Sequence, residues 1–93
     1  EGLMYFIYIV KCRDETYYTG YTTDIERRLK AHNEGKGAKY TRCRLPVELV
    51  YWEQYEEKSQ ALKREYAIKQ LTRKQKQQLI GRSVHAEKEH ALS

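Results

Sequence analysis

Two short β-rich runs, Tyr5 to Val10 and Thr16 to Tyr21, lie so close together that a hairpin is the natural way to join them. Between them stands Arg13-Asp14-Glu15, which supplies a polar turn and no apolar surface. Tyr5 to Val10 is apolar on both alternating faces, the pattern of a strand covered on both sides. An odd-length loop keeps Tyr8 and Tyr18 on one face, because side chains alternate along each strand. A loop over residues 12–14 sets the two phenols directly opposite each other. The bland reading of such a pair is cross-strand aromatic packing, worth about 0.5–1 kcal/mol. With nine tyrosines among 93 residues, most must serve packing. Tyr5, Tyr17, Tyr21, Tyr51, Tyr55 and Trp52 are assigned to the core or the sheet surface.

The rest of the chain builds on this hairpin. Thr23-Asp24-Ile25-Glu26 reads as a capping box with Thr23 as its cap. The helix it opens runs to about Asn33, where Gly35 can end it in a left-handed conformation. Residues from Gly35 to Leu45 read as a loop. Pro46 suits the start of a third strand, Val47 to Tyr55, in which Val47, Leu49 and Tyr51 alternate with Val50 and Trp52. Ser59 can cap a second helix reaching about Leu71. Thr72-Arg73-Lys74-Gln75 is another capping box, opening a short helix that Gly81 stops. The segment 81–93 is expected to be a disordered tail. Residues ahead of Met4 are set aside. The expectation is one α+β domain over residues 4–80, a small three-stranded antiparallel sheet packed with helices.

Composition narrows the function classes. Mean hydropathy is −0.94, and no run approaches the ~20 apolar residues of a membrane span. The longest apolar stretch near the start, Leu3 to Val10, is no signal peptide. Cys12 and Cys43 lack metal-ligand spacing, and His32, His85 and His90 form no zinc pattern with them. Free thiols in a reducing cytoplasm are the expectation. The net charge of +5 is concentrated: Asp24 to Arg44 holds seven Lys/Arg against three Asp/Glu, or 7 − 3 = +4. Within it, Lys36, Lys39, Arg42 and Arg44 surround Tyr40 with no acid between Gly35 and Arg44. Such a segment suits a phosphate backbone, or it is simply a solvated loop.

On a helical wheel, Ile25 and Leu29 set the inward stripe of the first helix. His32 falls between them and Arg28 beside them, while Arg27, Lys30 and Glu34 face away. A charge near a core needs a reason, since unpaired burial is costly. An Asp24–Arg28 pair with an edge histidine is one reason. In the second helix, Leu62 and Ile68 bracket an arc that contains Glu65, with Lys63 and Arg64 elsewhere. A Glu65–Lys69 pair four residues apart accounts for it in isolation. Taken as a set, two phenols, an arginine, a histidine and one carboxylate beside a basic loop fit a phosphodiesterase site.

That ordered set resembles the GIY-YIG nuclease family. Its first motif appears as Phe6-Ile7-Tyr8 and its second as Tyr18-Thr19-Gly20. Arg28 and His32 stand where the family has its helical arginine and histidine. Glu65, within Arg64-Glu65-Tyr66-Ala67-Ile68-Lys69, matches the late metal-binding glutamate. Gly35-Lys36-Gly37-Ala38-Lys39-Tyr40-Thr41-Arg42 is similar to the small stand-alone bacterial members. The resemblance spans about Met4 to Ile80. Phe6 replaces the first glycine of the family motif. Larger relatives often carry a late asparagine near the site and gain target choice from extra domains; here the only asparagine is Asn33.

The resemblance implies an endonuclease acting on nucleic acid, DNA more than RNA, with a divalent metal, Mg²⁺ by chemistry, on Glu65. Arg28 clamps the scissile phosphate in a way lysine could not copy. Tyr8 activates the attacking water, and Tyr18 or His32 tunes or relays the proton. A cation beside the phenol favours tyrosinate, with Arg28, the metal and Lys39 as candidates. Gly20 ends its strand and lets backbone approach the ligand. Lys36, Lys39, Tyr40, Arg42 and Arg44 bind the nucleic acid. Two further readings fit the same residues: a nucleic-acid-binding module with an inactive site, and an interaction domain for a partner nuclease.

Overall fold

The computed structural model describes the backbone of residues 3–92 and the side chains of residues 3–82. Three strands, β1 (Tyr5–Lys11), β2 (Tyr17–Thr22) and β3 (Glu48–Tyr55), form one antiparallel sheet in the order β2-β1-β3. Helices α1 (Ile25–Asn33) and α2 (Lys39–Arg42) lie between β2 and β3, and α3 (Lys58–Lys69) and α4 (Arg73–Leu92) follow. The expected α+β architecture is present.

β1 is central because it alone is apolar on both faces. Ile7, Ile9 and Val10 have no exposed surface and Tyr8 only 2%. Ile7 and Ile9 join Ala61 and Ile68 of α3, with Tyr5, Tyr17, Tyr21, Tyr51 and Tyr55 packed around them. Tyr8, Val10 and Cys12 face the other way, toward Val47, Leu29, Leu45 and Tyr18. Each buried aliphatic side chain contributes about 1.5–3 kcal/mol, so this one strand anchors both layers.

The hairpin register differs from the expected one. Tyr8 pairs with Gly20 and Tyr18 with Val10, so the phenols share a face but sit diagonally, two residues out of register. The loop is longer than 12–14 because it has its own hydrogen bonds. Cys12 N–H donates to Thr16 O at 2.8 Å and Glu15 N–H to Cys12 O at 2.9 Å. Asp14 Oδ1 accepts from both the amide and the hydroxyl of Thr16, and Glu15 takes a φ of 71°.

Other boundaries move for local reasons. Asp24, not Thr23, caps α1, its carboxylate accepting from Arg27 N–H at 3.1 Å. Thr22 Oγ1 accepts from Asp24 N–H. Gly35 has the left-handed φ of 79° expected after that helix. The expected loop from Gly35 to Leu45 contains α2. β3 alternation breaks between Val50 and Tyr51, where a bulge against Ile9/Val10 turns both side chains toward α3. Glu57 replaces Ser59 at the start of α3, with no side-chain capping bond. Ala61 and Ile68 face the core while Leu62 is 40% exposed. The Thr72 capping box forms in full: Gln75 N–H donates to Thr72 Oγ1 at 3.1 Å and Thr72 N–H to Gln75 Oε1 at 2.9 Å. α4 does not stop at Gly81, which lacks the positive φ of a terminating glycine. The expected disordered tail falls mainly on residues whose side chains lie outside the described ones, as do His85 and His90; Ser93 lies outside them altogether.

Candidate active site

The face of the sheet toward α1 gathers four of the expected residues. β1 presents Tyr8 and β2 presents Tyr18, while α1 turns Arg28 and His32 toward them. His32 is fully buried and Arg28 half-buried. Tyr8 Oη is 2.9 Å from His32 Nε2 and accepts from Arg28 Nε–H at 3.4 Å. Tyr18 meets the imidazole through ring contact alone, edge-on with centroids 5.5 Å apart. Asp24 is engaged as the cap of α1, and Arg28 reaches the phenol instead of pairing with it.

The direction of each proton can be worked out. Thr41 Oγ1 lies 2.9 Å from His32 Nδ1 and donates its single proton to Ala38 O at 3.0 Å. A hydroxyl with its proton spent can only accept from the ring, so His32 carries its proton on Nδ1. Nε2 is then a lone pair, and the Tyr8 hydroxyl donates to it. Burial first, and the Arg28 charge second, hold the His32 pKa below its ordinary 6.5, so the imidazole is neutral near pH 7. Tyr8 moves the other way. Burial raises its pKa above 10.0, and the hydrogen bond and charge of Arg28 oppose this without overcoming it. The expectation that Arg28 makes a tyrosinate is therefore corrected: desolvation outweighs its charge, and Arg28 by itself leaves the phenol protonated. Arg28 is the cation that acts on it.

Thr41 is the functional residue that sequence reasoning missed. It stands in what read as a loop, and only α2 carries its hydroxyl under the imidazole. Gly37 is the second omission. A Cβ there would lie 2.7 Å from His32 Cγ, so only glycine lets the chain cross the ring. Gly20 works likewise. It lies inside β2, not at its end, and a Cβ would come within 2.5 Å of Tyr8 Cζ. Its role is to admit the Tyr8 ring across the strand pair. Phe6, in place of the family's glycine, packs edge-on against Trp52 at 5.9 Å. Asn33 is a clamp between α1 and β3, exchanging bonds of 2.7 and 3.1 Å with the Val47 backbone.

Glu65 stands on α3, outside the hydrogen-bonded cluster. Its carboxylate is half-buried, 3.3 Å from Lys69 Nζ, and its charge acts on the Tyr8 phenol, raising its pKa. Lys69 shares a cavity with Tyr18 and Tyr40, so the end of α3 comes round the free edge of β2. Among the described residues, no group of three or more His, Cys, Asp or Glu gathers as a metal cage. A single carboxylate can hold a divalent ion whose coordination is completed by water and phosphate oxygens, and Glu65, now paired with Lys69, is the carboxylate available for it.

The site is less open than an exposed cleft. Tyr8 and His32 lie below the surface, and Arg28 is the member that lines a cavity of about 300 Å³, with Thr22, Asp24, Arg27 and Ala31. Of the basic segment, Lys39 and Arg42 are exposed and Lys36 lies 3.9 Å from Glu34. Tyr40 faces Tyr18 nearly parallel at 6.2 Å. Arg44 has structural work: it pairs with Asp14 at 3.1 Å, donates to Tyr40 O at 2.7 Å and stacks on the Tyr40 ring at 4.0 Å.

A profile of the GIY-YIG catalytic domain matches residues 4–78. The chain belongs to the GIY-YIG family. This is a nuclease family whose members generally depend on a divalent metal, and the fold carries their nucleic-acid chemistry. A UPF0213 protein of Clostridium perfringens is 60% identical over 78 residues, which cover 84% of each chain. Another, from Haloquadratum walsbyi, is 59% identical over 81% of this chain and 84% of its own. The solution NMR structure of the UPF0213 protein of Bacillus halodurans is 47% identical with a TM-score of 0.56, covering 84% of this chain and 83% of its own. An E. faecalis protein solved by NMR gives 46% and 0.60, over 89% and 88%. Among the described residues, no helix is long and apolar enough to cross a membrane.

Proposed function

We propose that this GIY-YIG protein is a metal-dependent endonuclease that hydrolyses phosphodiester bonds, with DNA as its substrate and Mg²⁺ as its metal. The observation that carries the reading is the Tyr8 phenol, placed between a lone pair on neutral His32 and the guanidinium of Arg28. A buried hydroxyl flanked by a proton acceptor and a cation is arranged to pass a proton on.

In this mechanism Tyr8 Oη accepts a proton from the attacking water as its own proton moves to His32 Nε2. The resulting imidazolium keeps its Nδ1–H on Thr41 Oγ1. Tyr8 thus relays the proton without standing as a free phenolate, in keeping with its raised pKa. Arg28, which already lines the cavity beside the site, meets the phosphate oxygens there. Its planar fork can serve phosphate while Nε remains near the phenol. Glu65 is the residue that would hold the divalent ion, which when bound would supply Lewis-acid stabilisation of negative charge on the phosphate. Tyr18 walls the imidazole and keeps water from it. We place the protein in the cytoplasm, where the thiols of Cys12 and Cys43 stay reduced.

The test is Mg²⁺-dependent nicking of plasmid and branched DNA by purified protein. Glu65→Ala and Tyr8→Phe each abolish nicking on this reading. Activity that survives both substitutions belongs to a contaminant and ends the proposal. Two observations favour a second reading, a nucleic-acid-binding module without catalysis: the phenol is nearly inaccessible, and Glu65 is engaged by Lys69. That reading expects salt-sensitive DNA binding, unchanged in Glu65→Ala, and no nicking at any Mg²⁺ concentration.

A further inference from the structure

The free edge of β2 carries a groove that the candidate active site does not use. A cavity of about 270 Å³ is lined by Tyr17, Tyr18, Thr19, Tyr40, Lys69 and Lys76. A second, of about 240 Å³, adjoins it through Tyr17 and Lys76 and adds Arg73. Together they run from the Tyr18 wall of the candidate site to the start of α4. Both lie below the roughly 300 Å³ typical of the smaller ligand clefts, so each suits one nucleotide unit and not a duplex.

Three observations give the groove a ligand chemistry. First, its cations come from the end of α3 and the start of α4, apart from the basic segment before β3. Lys69 and Lys76 face the same space, and Lys76 is half-buried. Burial first, and the Lys69 charge second, lower the Lys76 pKa. Lys69 already meets the Glu65 carboxylate at 3.3 Å, so Lys76 is the amine that the groove offers an anion. Second, Thr19 is 2% exposed, and its Oγ1 has no hydrogen-bond partner among the described residues. A buried hydroxyl without a partner costs about 1–3 kcal/mol, and Thr19 is one of the residues lining the groove. Third, the Tyr40 ring is 38% exposed, with Arg44 stacked on it at 4.0 Å and Tyr18 nearly parallel at 6.2 Å, so it offers its exposed edge beside the cations. An aromatic edge next to an amine and a hydroxyl matches a nucleotide, with its flat base and its phosphate.

We propose that this groove is a nucleotide subsite, in which a nucleotide flanking the scissile phosphate sets its base at the exposed edge of Tyr40 and its phosphate on Lys76, beside Thr19. The proposal rests on the nuclease reading for the position of the scissile phosphate. Continued past Lys76, the strand meets Arg73, which already lies over the Tyr17 ring at 5.2 Å. The substrate strand then leaves along the β2 edge, and the loop cations Lys39 and Arg42 hold a different part of it.

The experiment measures binding without cleavage, by fluorescence anisotropy of a short fluorescein-labelled oligonucleotide in EDTA, as DNA and in parallel as RNA. Lys76→Gln is expected to weaken binding and to reduce the slope of log K against log salt by about 0.7–0.9. Lys76→Arg restores the slope, and Lys63→Gln, on an exposed part of α3, leaves it unchanged. Thr19→Val is expected to weaken binding about tenfold, the loss of one charge-assisted hydrogen bond. Its melting temperature should hold or rise, because an unpartnered buried hydroxyl is removed; a purely structural threonine predicts the reverse. If Lys76→Gln and Thr19→Val bind as wild type while Lys39→Gln weakens binding, the groove is wrong and nucleic-acid recognition stands. An equal loss in Lys63→Gln also overturns the groove. If the wild-type protein binds neither DNA nor RNA, both this proposal and the nucleic-acid reading fall. Loss of nicking in Tyr8→Phe with intact binding concerns catalysis alone.

Discussion

Replacing Thr41 with valine isolates the element that orders the whole proton arrangement. Valine keeps the shape of the side chain but lacks the hydroxyl. Two bonds vanish together: the 2.9 Å acceptance from His32 Nδ1–H and the 3.0 Å donation to Ala38 O. Thr41 and His32 are both fully buried, so the freed Nδ1–H has no ready access to water. Leaving such a donor unmatched costs about 1–3 kcal/mol. The imidazole has one escape, which is to carry its proton on Nε2. That proton then points at Tyr8 Oη, and the phenol can no longer donate to the ring. Thr41→Val is therefore expected to switch the His32 tautomer and to lower the melting temperature. At about 4–8 °C per kcal/mol for a domain of this size, the fall should be readily measured. Long-range ¹H–¹⁵N NMR of the histidine side chain reads the tautomer directly, with or without nuclease activity. If the protein nicks DNA, the same substitution should cost about 10²–10⁴-fold, the usual worth of general acid–base catalysis. Thr41→Ser restores all three properties. A wild-type His32 already protonated on Nε2, or a Thr41→Val protein with wild-type tautomer and stability, refutes the reasoning.

Two other outcomes follow from the same cluster. His32 has a folded pKa below its ordinary 6.5, so over that interval the unfolded chain binds more protons than the folded one. The stability it contributes is fully present above about pH 6.5 and is lost as pH falls toward the folded pKa, with a slope of up to about 1.4 kcal/mol per pH unit. Urea unfolding from neutral to mildly acid pH should show this slope, and His32→Gln should flatten it; equal slopes would contradict a buried neutral imidazole. Gly20→Ala drives a methyl into the Tyr8 ring and should cost about 1–3 kcal/mol through overpacking. It should also remove the Tyr8–His32 hydrogen bond, and a crystal structure with that bond intact would show that the strand can yield.

The legible parts of this fold are those governed by neighbours in sequence. β1 was readable because its apolar residues occupy both parities, which only a covered strand tolerates. The left-handed Gly35 and the Thr72 capping box were readable because each is a local backbone requirement met by a characteristic residue. The inward Arg28 and His32 followed from the period of one helix. Errors arose where local signals competed. Thr23 and Asp24 both make good caps, and only the backbone conformation selected Asp24. The bulge at Val50 and the passage of α4 through Gly81 leave no distinctive residue pattern.

The sequence by itself determined that Tyr8 and Tyr18 share a sheet face, since strand parity survives a shift of register by two residues. It also determined that an arginine and a histidine on the following helix turn toward that face. Tertiary structure decided what these groups can do. The loop at residues 12–16 chose the register that lays Tyr8 over Gly20, through hydrogen bonds a residue pattern does not reveal. α2 carried Thr41 beneath His32 and so selected the tautomer. Burial kept the phenol protonated against the pull of Arg28, and burial and Arg28 together kept the imidazole neutral. Solvent exclusion and hydrogen-bond direction are properties of the packed chain, because both depend on atoms brought together from distant segments.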